Sequence, residues 1–512
     1  MARDLGDFQT PLALVGGVLD AIGPVGERWP NVLEPTCGSG SFIRGLIESQ
    51  SPPREIKGFE IQDFHFARAR RVAESSNLTK VSIKKANIFG LDLKRSVKWR
   101  ERGPLLVIGN PPWITNSELS VLESANLPPK SNLKKLTGID AITGGSNFDI
   151  AEFIWLKLIE ELADQHPAIA MLCKTSVARN VLQFARDKQI PVSNAWVRRI
   201  DARKYFDAAV DACLFYLEAS ASESLHEIPV FETLRSPEPE TVWGFSEGRL
   251  VVDIKAHRKT AFIDGRCSLT WRQGVKHDAS QVMELREDGN LYRNRLGEAV
   301  DVESDYIYPL LKSRDLNNGD NRMHRLSVII PQRRIGEETG NLEFAAPKLW
   351  DYLSEHDSVF ERRKSTIYRG RPRFSIFGIG DYSFAPFKVA VSGFYKDPRF
   401  RFIAPVNRRP VMLDDTCYFI ACQYPEQAAF ITALLNHQTA LDFLRSVMFR
   451  DAKRPITKRL LQRIDLIALL DYIKGEEILL AAENELRRLN KAMPVESAHR
   501  LSDLRALLQY CS

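Results

Sequence analysis

The stretch Asn31 to Phe42, NVLEPTCGSGSF, decides the fold, because a short apolar run leads through a glycine-bearing turn into a helical pattern. Such a turn between a strand and a helix lets the backbone approach a ligand closely, and dinucleotide-binding enzymes use similar turns. The dinucleotide spacing G-x-G-x-x-G is incomplete here, since Gly38 and Gly40 are followed by Ile43, with Gly45 two residues further on. The turn therefore predicts a nucleoside-type cofactor without identifying it.

Two acidic residues at strand ends narrow the choice of cofactor. Glu34 ends the first strand, where a carboxylate would repel a pyrophosphate and attract an amino or cationic group. This favours S-adenosylmethionine, whose methionine end carries an ammonium. Glu60 ends the next strand in GFEIQ, the place from which a carboxylate accepts the hydroxyl protons of an adenosine ribose. Taken alone, Glu60 is equally well explained as an acid at the surface end of a strand.

Around this turn, apolar runs alternate with amphipathic stretches from residue 31 to residue 219, the pattern of a mostly parallel sheet covered by helices. The predicted strands are Asn31 to Pro35, Glu55 to Glu60, Val81 to Ala86, Leu105 to Ile108, Ala168 to Cys173, Ala195 to Ile200 and Cys213 to Glu218. The predicted helices are Phe42 to Glu48, Asp63 to Glu74, Ile150 to Ala163 and Ser176 to Asp187. Pro128 to Ser146 lacks periodicity, so we expect a long loop there, of the kind that often has a functional role.

The length and composition require more than one domain. The 512 residues are 44% hydrophobic and 27% charged, which allows sizeable cores and excludes a disordered, collagen-like or membrane-embedded chain. The alternating pattern breaks near Ser220, and the acidic, proline-bearing segment up to Glu240 is typical of a boundary. We predict a first domain at residues 1–222, a linker at 223–245, a second domain at 246–465 and a C-terminal helical segment at 466–512.

Basic charge is concentrated in the second half of the chain. The net charge is only +6, but residues 361–460 contain 18 Lys and Arg against 8 Asp and Glu. Such clusters predict a polyanion partner with strongly salt-dependent binding, although a solvated charged face is the alternative. The candidate DNA-binding residues are Arg362, Arg363, Lys364, Arg369, Arg371, Arg373, Lys453 and Arg454.

The cysteines and the N-terminus favour a cytoplasmic protein. The seven cysteines are scattered and form no C-x-x-C pair, so neither a disulfide framework nor a metal site is expected. The N-terminal MARDLGDFQTPLALV has acids before a short apolar stretch, and no run of 18 uncharged apolar residues occurs in the chain. We therefore expect no export and no membrane partner.

The segment Ile108 to Trp113, IGNPPW, carries the chemistry. Its two prolines fix the backbone and leave carbonyls that can only accept hydrogen bonds. The side-chain oxygen of Asn110 and the carbonyl of Pro111 form two acceptors for one amino group. Accepting both N–H protons of an exocyclic amine directs its lone pair out of the ring towards an electrophile. Trp113 offers a flat face on which an extruded base can stack, worth about 1 to 3 kcal/mol.

These motifs, in this order, resemble those of the TaqI-like, gamma-class amino-group DNA methyltransferases, which methylate adenine at N6. The resemblance covers nearly the whole chain. It implies an α/β fold: a Rossmann-like, seven-stranded S-adenosylmethionine-dependent methyltransferase domain, followed by a mixed α+β target-recognition domain. It implies a catalytic motif of Asn110, Pro111, Pro112 and Trp113. The cofactor residues that it implies are Gln9, Thr10, Pro11, Glu34, Thr36, Gly38, Gly40, Glu60, Ile61, Asn87, Ile88, Phe89 and Asn110.

Further positions follow from the same resemblance. Phe206, in KYFDAAVDACLFYL, lies where the family places the aromatic residue that packs on the flipped base opposite Trp113. Asn147 to Asp149 corresponds to a motif that lines the cofactor pocket. One departure is Asn87, where the family usually has an aspartate that accepts a hydrogen bond from the cofactor's adenine. Asparagine keeps an acceptor oxygen, and Asp92 is an alternative acceptor if the register is shifted.

The C-terminal half resembles the family's target-recognition domain in several segments. The resemblance implies duplex DNA as the partner and, in the cell, a separate restriction endonuclease or other defence-system subunits. The segments are Arg272 to Lys276, Tyr308 to Asp315, Phe374 to Lys388 and Phe449 to Thr457.

Other activities remain as alternatives or are excluded. Cytosine C5 methylation requires a thiolate, usually presented as Pro-Cys, and the chain has no such dipeptide. Cytosine N4 methylation uses the same amine chemistry, and Asn110 only favours adenine over it. An RNA or protein-glutamine methyltransferase with a nucleic-acid-binding second domain, a non-catalytic DNA-binding module and a nuclease are further alternatives. The sequence does not identify the bases that are recognised.

Overall fold

The computed structural model describes residues 9–114, 149–222, 225–289, 291–318 and 326–488, together with Arg505 and Leu508. The predicted loop from Pro128 to Ser146 and the positions Asn147 and Phe148 lie outside these residues. The chain divides into two compact units, Met1–Ile254 and Lys255–Ser512. Within the described residues, no helix combines the length and the apolar character needed to cross a bilayer.

A single mixed sheet forms the centre of the first unit, with ten strands among the described residues. These strands are β1 Asn31–Glu34, β2 Glu55–Glu60, β3 Lys80–Lys85, β4 Leu105–Gly109, β5 Ala168–Lys174, β6 Val192–Ile200, β7 Ala212–Ala219, β8 Glu227–Phe231, β9 Thr241–Ser246 and β10 Arg249–Val251. Their order is β10-β9-β8-β6-β7-β5-β4-β1-β2-β3. The strands β3, β2, β1, β4 and β5 run parallel, and β7 is antiparallel to both β5 and β6.

Helices accompany this sheet along the chain. They are α1 Leu12–Ile22, α2 Val25–Arg28, α3 Ser41–Ile47, α4 Asp63–Glu74, α5 Leu93–Ser96, α6 Ile150–Glu161, α7 Thr175–Asp187 and α8 Ala202–Phe206, with 3-10 turns at Ile88–Gly90 and Ala163–Gln165. The central strands β1 and β4 are buried along their whole length, as expected for parallel strands covered on both faces. Large side chains such as Trp155, Phe184 and Phe215 fill the core around the sheet.

The strand order places a ligand crevice at the end of β1. The chain runs outward from β1 through β2 to β3 and then returns to β4 on the other side of β1. In open α/β sheets, ligands bind outside the carboxyl ends of the strands at such a reversal. Glu34 and Gly109, the last residues of β1 and β4, lie at this point. Glu60, the last residue of β2, is on the neighbouring strand.

All seven predicted strands and four predicted helices are confirmed to within three residues. The sheet is larger than the predicted seven strands, and the linker expected at 223–245 is corrected. Strand β8 pairs with β6, and β9 pairs with β8, so this segment extends the sheet. The acidic, proline-bearing residues 232–240 only connect these two strands, and the division between the units falls after Ile254.

The second unit combines two sheets with many short helices. A four-stranded sheet has the order β11-β20-β17-β18 and a six-stranded sheet the order β14-β13-β12-β16-β15-β19. The strands are β11 Arg272–Gln273, β12 Glu284–Asp288, β13 Leu291–Arg293, β14 Ala299–Val300, β15 Ile307–Leu311, β16 Leu326–Ile329, β17 Phe387–Ser392, β18 Arg401–Ile403, β19 Met412–Leu413 and β20 Cys417–Cys422.

The helices of this unit mostly follow the strands. They are α9 Ile254–Thr260, α10 Ser280–Met283, α11 Ser313–Asn318, α12 Leu342–Ala345, α13 Pro347–Glu355, α14 Asp357–Glu361, α15 Pro425–Asn436, α16 Gln438–Val447, α17 Lys458–Leu461, α18 Leu466–Tyr472 and α19 Gly475–Arg488. Single 3-10 turns lie at Ala261–Ile263, Ser304–Tyr306, Thr366–Tyr368 and Asp381–Phe384. The predicted C-terminal segment belongs to this same unit, where α19 packs against α15.

Candidate active site

A cleft that is open to solvent lies at the carboxyl ends of β1, β2 and β4. Most of the residues predicted for a cofactor site line it, namely Gln9, Thr10, Glu34, Thr36, Gly38, Glu60, Ile61, Asn87, Ile88, Phe89 and Asn110, and so does Pro112 of the predicted catalytic motif. Pro11, Gly40, Pro111, Trp113 and Phe206 are not among its lining residues. The structure thus brings together motifs that are widely separated in the sequence.

The turn after β1 holds its shape through backbone hydrogen bonds and two glycines. The N–H of Cys37 donates to the carbonyl of Phe59 at 2.8 Å, and the N–H of Gly40 donates to the carbonyl of Cys37 at 2.8 Å. Gly38 and Gly40 have φ angles of +51° and +86°, which side chains other than hydrogen rarely allow. A Cβ on Gly40 would also lie 3.2 Å from the Cα of Ala69 in α4. Glycine is therefore favoured at both positions, most strongly at Gly40.

Glu60 organises the floor of the cleft. Its Oε2 accepts the N–H of Gly38 at 2.8 Å. Its Oε1 accepts the N–H groups of Ile61 at 2.9 Å and Gln62 at 2.8 Å. A carboxylate offers about four acceptor positions, so three backbone bonds leave little capacity for two ribose hydroxyls. The sequence predicts a ribose ligand here, whereas the structure gives Glu60 a role in fixing the turn as well.

One carboxyl oxygen of Glu34 accepts no hydrogen bond from the described residues. The side chain is only 2% exposed, and among the described residues its Oε2 has no hydrogen-bond partner. Burial, together with the negative charge of Glu60, raises the pKa of Glu34 well above its ordinary value. The hydroxyl of Thr36, two residues along the turn, also lacks a partner in the described structure. A donor with positive charge, such as an ammonium, satisfies this arrangement better than an anion does.

Asn87, the departure from the family pattern, caps the 3-10 turn Ile88–Gly90. Its Oδ1 accepts the N–H of Phe89 at 3.0 Å, and the side chain lines the cleft. Asp92, the alternative acceptor, is outside this lining and instead caps α5 by accepting the N–H of Arg95 at 3.1 Å. The structure therefore has Asn87, and not Asp92, in the cleft.

Asn110 follows β4 and faces Thr10 across the cleft. The side-chain Nδ2 of Asn110 donates to Oγ1 of Thr10 at 3.2 Å. Because the amide nitrogen is used in this bond, the amide oxygen of Asn110 is directed away from Thr10, and this oxygen is buried. Thr10 is itself only 7% exposed. The rigid Pro111–Pro112 pair follows directly, with Pro111 buried and Pro112 in the cleft lining.

The two aromatic residues predicted to hold a base contact each other. Trp113 and Phe206 have ring centroids 5.0 Å apart and an angle of 76° between the rings, an edge-to-face contact. Both are largely buried, and the indole N–H of Trp113 also lies 3.4 Å from the carbonyl oxygen of Leu172. The structure thus brings the predicted pair together but leaves no slot between the rings.

Residues on α6 complete the wall of the cleft, and sequence analysis named only the motif before them. Ile150 and Ile154 line the cleft one helical turn apart. Asp149 caps α6 by accepting the N–H of Ala151 at 3.0 Å, and it pairs with Lys174 at 2.7 Å. The spacing of two isoleucines four residues apart was the available signal, but it is equally typical of a helix packed in a core.

The predicted DNA-binding residues of the second unit fall into two groups. Arg363, Arg373 and Arg454 bind within the unit. Arg363 donates to the carbonyl of Ser375 at 2.6 Å, Arg373 pairs with Asp357 at 2.8 Å, and Arg454 pairs with Asp415 at 3.2 Å. The others are exposed and have no acidic partner among the described residues: Lys364, Arg369, Arg371, Lys453, and Arg362, whose Nε donates to the carbonyl of Ser358 at 2.9 Å.

Comparison with known proteins adds one relative and one solved structure of similar fold. The chain is 37% identical over 472 residues to the Type II methyltransferase M.NspV of Nostoc sp., a match that covers 92% of this chain and 98% of the relative. It is also similar to the solved structure of the Type IIL restriction-modification enzyme MmeI in complex with DNA, with a TM-score of 0.59 and 12% identity over 97% of this chain and 72% of that one. At this identity the second likeness concerns the fold alone. No protein-family model matches the chain.

Proposed function

The chain belongs to the Type II methyltransferases, and we propose that it acts on DNA in a restriction-modification system, transferring a methyl group from S-adenosylmethionine to the N6 amino group of an adenine in a specific duplex sequence. The proposal depends mainly on one observation, the orientation of Asn110 by Thr10 beside a rigid proline pair. With its nitrogen donating to Thr10, the Asn110 side chain directs its amide oxygen away from Thr10.

The reaction follows from two acceptors around one amine. The Asn110 oxygen and the Pro111 carbonyl each accept one N–H of the exocyclic amine, which withdraws the nitrogen lone pair from the purine ring and directs it at the cleft. S-adenosylmethionine supplies the electrophilic methyl group when bound. The two acceptors would hold the amine nitrogen in line with that methyl group, and the methylated amine would release one proton to solvent. No covalent intermediate with the protein is required.

The residues of the cleft fit this cofactor. Glu34 is a buried carboxyl group whose Oε2 has no partner in the described structure, which suits the methionine ammonium. Thr36 offers a second unpartnered oxygen, and the turn at Gly38 and Gly40 allows close approach of the backbone. Ile61, Ile88 and Phe89 give the cleft apolar surface for an adenine ring, and Asn87 and Gln9 add polar groups. Glu60 holds the turn and retains capacity for one further hydrogen bond.

Base binding requires movement of Trp113 and Phe206. A target base needs the face of an aromatic ring, whereas the two rings now cover each other edge to face. An extruded adenine would replace this contact with stacking, so part of the stacking energy offsets the loss of the ring contact. We place the base between Pro112 and this aromatic pair.

The second unit is the proposed target-recognition domain. Its exposed basic side chains, with Arg371 and Lys453 as examples, suit phosphate contacts that are independent of sequence. A separate restriction endonuclease or another defence-system subunit is a proposed partner, and the proposed location is the cytoplasm, in association with DNA.

The base that is methylated can be identified directly. Unmethylated plasmid DNA incubated with the protein and S-adenosylmethionine is digested to nucleosides and analysed by mass spectrometry. The proposal predicts N6-methyladenine. N4-methylcytosine as the product would support the cytosine alternative, since it uses the same amine chemistry. Methylation of RNA or of a glutamine peptide without methylation of DNA would contradict the proposal.

A further inference from the structure

A cluster of arginines in the second unit surrounds the one-turn helix Asp381–Phe384. The guanidinium of Arg333 lies 4.2 Å from the ring centre of Phe384. The guanidinium of Arg272, from a distant segment, lies 4.4 Å from the ring centre of Tyr382. Arg333 is outside the residues and segments predicted from the sequence, whereas Arg272 begins one of the segments that resemble a target-recognition domain. The structure thus places two stacked guanidinium groups on neighbouring rings of one short helix.

Arg272 and Arg333 differ from most other arginines of the unit in the groups that their guanidinium groups contact. Arg373 and Arg463 use their donors on carboxylates, and Arg401 uses its donors on the carbonyls of Leu316 and Asn317. Among the described residues, the guanidinium groups of Arg272 and Arg333 contact rings, with no hydrogen bond or ion pair to an acceptor. Stacking fixes the plane of a guanidinium while leaving its N–H edge available.

The loop that carries Arg333 is held in place at both ends. The Oε2 of Glu337 accepts the N–H groups of Arg333 at 2.6 Å and Arg334 at 3.0 Å. Gln332, which is buried, donates from Nε2 to the carbonyl of Arg334 at 2.8 Å and to the carbonyl of Ile376 at 3.2 Å. A side chain on such a loop loses little conformational entropy when it binds.

The neighbouring Arg334 also binds the short helix Asp381–Phe384. It pairs with Asp381 at 3.1 Å, and Asp381 and Phe384 are three residues apart. Residues i and i+3 of a 3-10 turn lie on the same face. Arg333 and Arg334 therefore bind one face of the short helix together, through its ring and its carboxylate. Asp381 anchors the loop without occupying the donors of Arg333.

We propose that Arg272 and Arg333 are specificity-determining residues that each bind the O6 and N7 acceptors of a guanine in the major groove of the target DNA. This inference rests on the proposed function. Guanine is the base whose two acceptors match the paired N–H groups of a guanidinium edge. Arginine held by an aromatic ring presents that edge in a fixed plane. A phosphate-binding role would require neither the stacking nor the rigid loop.

Substitution with lysine tests the proposal, because lysine keeps the charge but cannot make the planar bidentate contact. Arg333→Lys and Arg272→Lys are compared with Arg487→Lys, which alters an exposed arginine paired with Glu483 on α19. Methylated sites in the DNA of cells that express each variant are sequenced. Binding of duplexes with and without the recognised site is measured by fluorescence anisotropy.

We expect each cluster variant to accept other bases at one position where the wild type requires guanine. Its affinity for the specific duplex should fall about 5- to 150-fold, the factor that corresponds to about 1 to 3 kcal/mol for a bidentate arginine–guanine contact. Non-specific binding, which also reports an intact fold, should not change. An unchanged set of methylated sites, or an equal loss on both duplexes, would overturn the inference. Absence of DNA methylation by the wild type would instead reject the proposed function.

Discussion

Trp113 and Phe206 pack edge to face with ring centroids 5.0 Å apart, so the two rings cover part of each other's surface. The contact joins the segment after β4 to the end of α8. If the two rings bind the target base as proposed, one of them must turn away before the base can stack.

Phe206→Ala should weaken catalysis on duplex DNA without weakening cofactor binding. Removal of the ring loses base stacking worth about 1 to 3 kcal/mol, so kcat/KM for DNA should fall about 5- to 150-fold. Steady-state kinetics with varied DNA and calorimetry with S-adenosylmethionine measure the two effects separately. Phe206→Tyr, which keeps a ring, serves as the control. Unchanged kcat/KM in the alanine variant would remove Phe206 from the base site.

Binding of S-adenosylmethionine should release a proton from Glu34. Burial and the charge of Glu60 raise the pKa of this carboxyl in the free protein, whereas an ammonium beside it lowers the pKa again. Affinity should therefore rise with pH until Glu34 is ionised before binding. Titration calorimetry in two buffers with different ionisation enthalpies measures the number of protons released on binding. Glu34→Gln should bind more weakly and release none.

Glu48→Gln is the matched control for this titration, because Glu48 lies after α3 at the surface and pairs with Arg44. Its proton release should equal that of the wild type. Glu60 and Cys37 are buried titratable groups that interact with Glu34, and burial raises the pKa of the Cys37 thiol, which favours its protonated form. If Glu34→Gln released as many protons as the wild type, another group would be the source.

Arg371→Ala and Arg373→Ala should have different effects although the residues are almost adjacent. Arg371 is exposed and has no acidic partner in the described structure, so its loss should weaken DNA binding on all sequences and reduce the salt slope by about 1. Arg373 pairs with Asp357, and this half-exposed pair contributes at most about 1 kcal/mol to stability. Fluorescence anisotropy of DNA binding at several salt concentrations, together with thermal unfolding, distinguishes the two variants. Equal salt slopes in both variants would contradict the assignment.

The strands and the cleft were predictable from sequence, whereas the partners of individual side chains were not. Parallel strands such as β4 read as continuous apolar runs, and their ends carry the motifs that converge on the cleft. The strands β8 and β9 were missed because an acidic, proline-bearing connection lies between them. Arg363 and Arg371 look alike in sequence, and only burial of Arg363 against Tyr368 and Ser375 distinguishes their roles.

The stability of the protein should rise with pH because of Lys388. Its side chain is 1% exposed and donates to the carbonyl of Ala385 at 2.7 Å, and burial lowers the pKa of Lys388 from 10.5 to about 7. Between these two values the unfolded chain binds more protons than the folded one. The contribution of Lys388 to the free energy of unfolding is therefore most favourable above the pKa that this residue has in the unfolded chain. It is lost as the pH falls through the pKa of the folded protein, by at most about 1.4 kcal/mol per pH unit.

Lys388→Met should remove this pH dependence and raise stability at neutral and lower pH, because methionine fills a similar volume without a charge. Denaturant unfolding at several pH values measures the effect. Lys396→Met, at an exposed position, should leave the profile of the wild type. An unaltered pH profile in Lys388→Met would show that Lys388 is not the group responsible.

The central claim is that Asn110, oriented by Thr10, accepts a hydrogen bond from the amine that is methylated. Single-turnover transfer of a tritiated methyl group to duplex DNA, with the wild type and Asn110→Ala both saturated with S-adenosylmethionine, tests it most directly. Removal of one preorganised hydrogen-bonding group at a reacting centre costs about 100- to 1,000-fold in rate, and we expect a loss of that order or more. Methyl transfer by Asn110→Ala at the wild-type rate would contradict the account.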